Sequence, residues 1–323
     1  GDILYNKLEG QSYWYNGSCV DPVDVAPDGR GIYDCSFPED IILGSVDKGH
    51  SLLFAVSANK NWETNWGDID LFTSYTHADV NDIGYGTSST ASSNYSDFAR
   101  YDYQKPTVGT SNFQVEHLFK LRLDWEKELV EGYATKASLF ATRRSGQPYS
   151  YTFNENNACV FAVGGGRCAI ESRVDDAGHL LYVPYGVDDP LFAATSFGGD
   201  AAAQQAFFDY INSSELAQYK GSIAPRNGDN SRWSTIVDLR LQQEMAGFMD
   251  NHKTYFFLDI ENLGNFLNKD WGRISRTRYE YERAVVSAEI VGDQFEYFGL
   301  RSDDSIKNIE DLNQSLWQIQ LGV

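Results

Sequence analysis

Strict alternation of apolar and polar side chains in the segment Trp233–Glu261 places the strongest constraint on the fold of this chain. Within Trp233–Leu241 every second residue is Trp, Thr, Val or Leu, and the residues between them include Asp238 and Arg240. The segment Thr254–Ile260 repeats the alternation after a short connection. Because successive side chains of a strand point to opposite faces, we predict a β-hairpin with one apolar and one charged face.

The same period of two residues recurs along the chain, which predicts an all-β, antiparallel fold of about ten meandering strands. Two short helices are predicted inside the connection 154–230, at Ala201–Tyr210 and Ser214–Lys220, with Gly221 ending the second one. The predicted strands are Asp2–Lys7, Ser51–Lys60, Asp68–Thr76, His117–Glu126, Tyr133–Phe153, Trp233–Leu241, Thr254–Ile260, Glu282–Val291, Gln294–Leu300 and Ser315–Val323.

The connections between these strands alternate between long and short. Short connections at one end and long ones at the other are typical of outer-membrane β-barrels, whose long loops are extracellular. Long connections follow Lys7, Thr76, Phe153, Leu263 and Leu300, and short ones are centred on Asn65, Val130, Gly247 and Gly292.

The four cysteines form two local pairs, and both pairs fall in long connections. Neither the pair Cys19 and Cys35 nor the pair Cys159 and Cys168 has the spacing of a structural zinc site. We therefore predict two disulfides and an oxidising compartment.

Charge and motif content exclude several functions. A net charge of −20 argues against nucleic-acid binding, since no basic cluster is present to neutralise phosphates. The five histidines form no HExxH motif or i, i+4 pair, and the acidic loop clusters lack the spacing of a calcium loop. The sequence thus predicts no enzyme activity, no metal site and no cofactor.

Several segments resemble the C-terminal barrel half of TonB-dependent outer-membrane receptors, most closely the Oar-like group. The resemblance covers roughly residues 112–323 and is most specific at Ser145–Tyr149, Ala224–Asn227 and Asp259–Asn265. It implies that residues 1–323 are part of a transmembrane receptor barrel, with an open half-barrel as one outcome for this part alone. No TonB box or plug domain is present, and Trp317–Val323 lacks the terminal aromatic residue of the family, so a longer receptor is expected.

The resemblance implies energised import across the bacterial outer membrane through a plugged barrel of about 22 strands. The implied partners are outer-membrane lipid, the TonB complex acting through the plug, and a substrate such as a siderophore, cobalamin, a glycan or a peptide. Alternation alone also fits a soluble, secreted β-rich module that binds carbohydrate, and this alternative stays open.

On the barrel interpretation the two faces meet different surroundings. An Arg or Lys at the bilayer middle costs about 2–4 kcal/mol on the lipid side, so the charged face is expected to line the lumen. The predicted lumen-facing row is Lys120, Arg122, Asp124, Glu126, Lys136, Arg144, Asp238, Arg240 and Asp259. The predicted lipid-facing row is Phe119, Leu121, Leu123, Trp125, Leu139, Val237, Leu239, Leu241, Phe256, Leu258 and Ile260.

Overall fold

The computed structural model describes residues 1–35, 40–84, 88–96, 98–155, 159–163, 178–249, 252–277, 281–301 and 309–323. The strands in this part of the chain are β1 (Asp2–Lys7), β2 (Gln11–Asn16), β3 (Asp24–Val25), β4 (Gly31–Ile32), β5 (Ile41–Val46), β6 (His50–Thr64), β7 (Gly67–Asp82), β8 (Gly109–Thr110), β9 (His117–Val130), β10 (Tyr133–Arg144), β11 (Pro148–Phe153), β12 (Tyr182–Val183), β13 (Ser222–Ile223), β14 (Asp229–Asn230), β15 (Ser234–Ala246), β16 (Lys253–Glu261), β17 (Ser275–Arg276), β18 (Glu282–Val291), β19 (Gln294–Phe298), β20 (Ile309–Glu310) and β21 (Gln318–Gly322). The α-helices are α1 (Ala91–Ser96), α2 (Ala201–Ser213), α3 (Leu263–Leu267) and α4 (Leu312–Ser315).

Eight strands form one antiparallel meander, which we call the long sheet, in the order β1-β6-β7-β9-β10-β15-β16-β21, with β8 added beside β7. This confirms the predicted antiparallel β fold at the level of strands and pairing. The sheet is open, because no pairing among the described residues joins β1 to β21.

Cross-strand register builds continuous rows of like side chains on the two faces of the long sheet. A row on one face holds Leu71, Leu123, Leu139, Leu239, Ile260 and Ile319. The adjacent row, on the other face, holds Asp70, Asp124, Ser138, Arg240, Asp259 and Gln320. The alternation seen in single strands therefore adds up to two chemically distinct sheet surfaces.

The connections within the long sheet also differ between its two ends. Short turns join β6 to β7, β9 to β10 and β15 to β16, whereas long connections follow β7, β10 and β16. Since neighbouring strands are antiparallel, all three long connections leave from the same end of the sheet.

A second region, the aromatic core, is built from the long connections that follow β10 and β16. Its four-stranded sheet has the order β14-β11-β18-β19, and β11 pairs with β18 in parallel. Helix α2 packs against this sheet; the Asp200 side chain accepts a hydrogen bond from the Ala202 N–H at 2.9 Å and so caps the helix. The largest buried side chains of the aromatic core include Tyr149, Tyr151, Phe153, Phe161, Phe207, Phe295 and Tyr297.

The aromatic core corrects three parts of the sequence prediction. The strand predicted as Tyr133–Phe153 ends at Arg144, and β11 enters the core sheet instead of continuing the long sheet. Strand β18 has its predicted bounds and β19 ends at Phe298 instead of Leu300. Both belong to the core sheet, so the meander has eight strands rather than ten. The physical reason is burial: every residue of β11 is buried, as are the neighbouring Val285 and Val286 of β18.

Candidate functional site

The charged face of the long sheet brings the predicted polar residues together. All nine lie on the same face by register, and several form ion pairs. Arg122 Nε lies 2.8 Å from Asp124 Oδ2, and Lys136 Nζ lies 3.1 Å from Glu126 Oε2. Arg240 pairs with Asp259 at 3.1 Å. Of the remaining members, Asp238 accepts a backbone hydrogen bond from Asn262, while Lys120 and Arg144 have no ion-pair partner among the described carboxylates.

The opposite face carries all eleven residues of the predicted apolar row. Phe119 is 44% exposed and Phe256 is 42% exposed, while Leu139 and Leu239 are partly exposed. The predicted segregation of side chains between faces is therefore found, and what each face contacts stays a prediction. The long sheet is a single layer whose apolar face leaves Phe and Leu side chains uncovered, and this is the feature that a functional proposal has to explain.

A cavity of about 540 Å³ lies against the charged face, beneath the connection that follows β16. Arg240 and Asp259 form an ion pair of 3.1 Å in its wall, and Asp238 and Glu261 add further carboxylates. Phe140 and Ile236 supply apolar surface. Such a mixed lining suits a polar solute that carries hydroxyl, amide or cationic groups.

A larger cleft of about 1130 Å³ lies between the aromatic core and the apolar face, with Trp233 and Val237 lining it on the sheet side and Trp271 on the connection that follows β16. At its base Asp229 Oδ2 accepts hydrogen bonds from the hydroxyls of Tyr149 and Tyr151, the second at 2.8 Å. The Arg283 guanidinium carbon lies 4.0 Å from the centre of the Tyr149 ring.

Burial fixes the protonation state of these phenols. It raises the pKa of Tyr149 and of Tyr151 well above that of a free tyrosine, and the hydrogen bond that each donates to Asp229 raises both further. At neutral pH both hydroxyls therefore stay protonated and act as hydrogen-bond donors, so the cluster is suited to holding the base of the cleft rigid rather than to transferring protons.

The three segments that carry the resemblance all lie at the end of the long sheet that carries the long connections. Buried Arg226 donates to Asp82 Oδ1 at 2.7 Å and to the Gly109 carbonyl at 2.8 Å, which ties the end of β7 to the core. Asn262 adopts a φ of 52° and donates to the carbonyls of Gly272 and Ser315 at 2.8 and 3.0 Å. A Cβ at Gly146 would lie 1.9 Å from the Ser231 carbonyl oxygen, so only glycine fits there.

One predicted disulfide is confirmed. Cys19 and Cys35 are bonded, and Cys19 is buried. A crosslink that closes a loop of this length stabilises a fold by about 3 kcal/mol, mainly by restricting the unfolded chain. Cys159 is buried as well, but its predicted partner Cys168 lies outside the described residues.

The comparisons with known proteins leave the family open: no family model matches the chain, and no curated protein or solved structure does so either. The resemblance to TonB-dependent receptors therefore stays a prediction. In the part of the chain that the structure describes, no helix combines the length and the apolar character needed to cross a membrane.

Sequence spacing missed one group of side chains that the register brings together. His77 and His117 are direct cross-strand partners, and Glu116 lies beside them. No motif search along the chain finds this group, because its histidines come from different strands. Aligning β7 with β9 by their apolar rows would have revealed it.

Proposed function

We propose that this chain is part of the transmembrane barrel of a TonB-dependent outer-membrane receptor that imports a scarce solute. The single observation that carries the proposal is the uncovered apolar face of the long sheet. Burying apolar surface is worth about 25 cal/mol per Å², so a row of exposed Leu, Phe and Trp side chains is unfavourable in water. Hydrocarbon removes this cost, because lipid covers the face without a second protein layer.

The charged face supports the same orientation. The ion pair of Arg122 with Asp124 lies along β9, and that of Arg240 with Asp259 joins β15 to β16. Both pairs remain partly exposed, which suits a wet lumen. The two free edges of the long sheet, β1 and β21, can pair with further strands of a wider barrel.

The two ends of the long sheet differ, which supports placing them on opposite sides of the membrane. The long connections, the aromatic core and the Cys19–Cys35 disulfide all belong to one end, whereas the other end carries short turns. We assign the end with the core to the cell exterior, where disulfides persist and loops capture solutes. The cavity beside Arg240 and Asp259 then lies on the lumen side and is a candidate contact for the solute.

Neighbouring positions of one strand allow a direct test. A photo-crosslinking amino acid is placed at Leu239 or at Arg240, which differ only in the face they occupy. After illumination of outer-membrane vesicles that contain the receptor, we expect lipid adducts from position 239 and none from position 240. The same contrast is expected between Leu121 and Arg122 on β9.

Two results would contradict the proposal. The first is equal lipid labelling from both faces, or labelling from position 240 alone. The second is a chain recovered as a monodisperse monomer in detergent-free buffer without bound lipid, which would favour a soluble carbohydrate-binding module instead. Uptake assays with iron chelates, glycans and peptides, with and without a functional TonB system, then test the transport step.

A further inference from the structure

The structure assigns a second site, at the end of the apolar face that carries the long connections: we propose that His77, His117 and Glu116 bind one divalent transition-metal ion of the zinc class. Their ligand atoms all lie within 4.8 Å of one another. Two imidazoles and one carboxylate form a known zinc ligand set, which leaves a fourth position for water or a ligand.

Strand register brings the two imidazoles together. The Ala78 N–H donates to the Glu116 carbonyl at 2.9 Å, so Ala78 and Glu116 form a hydrogen-bonded pair. Hydrogen-bonded and non-hydrogen-bonded pairs alternate in an antiparallel ladder, which makes His77 and His117 a non-hydrogen-bonded pair. Side chains approach each other most closely at such pairs, and the two ring centres are 5.0 Å apart.

The third ligand comes from the residue that precedes the strand. Strand β9 begins at His117, so the Glu116 side chain is not held on the opposite face by strand geometry. Its Oε1 lies 3.5 Å from His117 Nε2. Two ligands of a tetrahedral zinc ion lie about 3.3 Å apart, given bonds of about 2.0–2.1 Å, so this pair is already near its liganded spacing. The His77 ligand atom lies within 4.8 Å of both, so binding requires the three side chains to draw closer around the ion.

The surroundings of His117 prepare its Nε2 for coordination. The Tyr75 hydroxyl lies 2.9 Å from His117 Nδ1. When Nδ1 is protonated it donates to the Tyr75 oxygen and leaves the Nε2 lone pair for the ion, as outer partners of zinc-bound histidines do. The Trp233 ring stacks on the imidazole at 5.7 Å between centres and an angle of 13°, which limits its rotation.

Two further observations point to a ligand. His77 Nδ1 is buried and has no hydrogen-bond partner within the described part of the chain, so one nitrogen of this ring is unused. The His117 side chain is 31% exposed and that of Glu116 is 37% exposed, so an ion can enter from solvent. Imidazole nitrogen favours zinc, nickel and copper over calcium and magnesium.

The test is metal titration of the purified full chain after chelator treatment, with Zn²⁺ followed by calorimetry and Co²⁺ by visible absorption. We expect one bound ion per chain and the intense visible bands of tetrahedral Co²⁺. His77→Gln and His117→Gln are each expected to weaken Zn²⁺ binding at least about tenfold. Tyr75→Phe is expected to weaken it about tenfold without removing a ligand.

His50 provides the matched control, since it lies on the same sheet, 3.5 Å from the Asp79 carboxylate, but belongs to another cluster. His50→Gln should leave the affinity for Zn²⁺ unchanged. Zn²⁺ is expected to raise the unfolding temperature of the wild type but not that of Glu116→Gln. Because Glu116 lies outside the strand, this variant separates the loss of a ligand from misfolding. Equal affinity in the wild type and the His77→Gln, His117→Gln double variant would overturn the proposal, as would an equal loss in His50→Gln.

Discussion

Two phenylalanines of this chain, both on strands, differ in how far their side chains are exposed. Phe119 of β9 is 44% exposed on the long sheet, whereas Phe153 of β11 is 1% exposed in the aromatic core. Both belong to segments in which large apolar residues alternate with smaller or polar ones. Alternation alone therefore does not decide whether a strand belongs to a single-layer sheet or to a packed core.

The residues between the apolar ones make the difference. In β9 they are Lys120, Arg122 and Asp124, which need water or an ion-pair partner. In β11 they are Ser150 and Thr152, which are small and uncharged, and both are buried. Ser150 Oγ donates to Asn227 Oδ1 at 3.1 Å. A strand without mid-strand charges can thus be covered on both faces.

The largest expected effect compares truncation of these two phenylalanines. Phe153→Ala removes a side chain in contact with Phe161, Phe295 and Tyr297, so we expect it to lower the free energy of unfolding of the core by about 3–5 kcal/mol. Phe119→Ala creates no cavity in the core and should leave that free energy unchanged. Urea titration followed by near-ultraviolet circular dichroism measures both.

Equal effects of Phe153→Ala and Phe119→Ala on this transition would contradict the division into two regions. If Phe119→Ala lowers the free energy of unfolding only in lipid or detergent, the distinction between the two regions becomes sharper. Phe119 would then stabilise the protein through its contact with the surrounding lipid or detergent.

Much of the long sheet could be predicted from the sequence, since mid-strand charges mark one face of β9 and of β15. The start of β10 at Tyr133 and the hairpin of β15 and β16 follow from that pattern, whereas the end of β10 at Arg144 does not. The core was missed for the opposite reason: β11 and β18 carry little mid-strand charge, and their parallel pairing depends on contacts between distant segments. The same limit applies to His77 and His117, which only cross-strand register brings together.

The next largest expected effect is a loss of stability at alkaline pH in the aromatic core and not in the long sheet. Burial raises the pKa of Tyr149, Tyr151, Tyr182 and Tyr297 above the usual value, so the folded core keeps these protons while the unfolded chain loses them. Their contribution to stability is complete below the unfolded value of about 10 and falls as pH rises above it, by about 1.4 kcal/mol per pH unit for each such tyrosine.

We therefore expect absorbance at 295 nm, from tyrosinate, to rise together with loss of the near-ultraviolet signal of the core. Tyr151→Phe should move this transition to higher pH relative to a parallel variant of the exposed residue, Tyr185→Phe. Gradual ionisation of these four tyrosines with the core still folded would refute the assignment of their pKa shifts to burial.

The smallest expected effect concerns the charged face. The ion pair of Arg240 and Asp259 spans 3.1 Å, and its side chains are 43% and 23% exposed. Pairs this accessible to water contribute about 0–1 kcal/mol, so a double-mutant cycle of Arg240→Gln and Asp259→Asn should give a coupling energy in that range.

The pair also lines the cavity on this face, where both charges remain available to a solute. If the receptor proposal holds, both single variants will change solute uptake by more than they change unfolding. A coupling of several kcal/mol would instead mean that the face is dry, since only a desolvated pair reaches that strength, and the charged surface would then be a protein interior rather than a lumen.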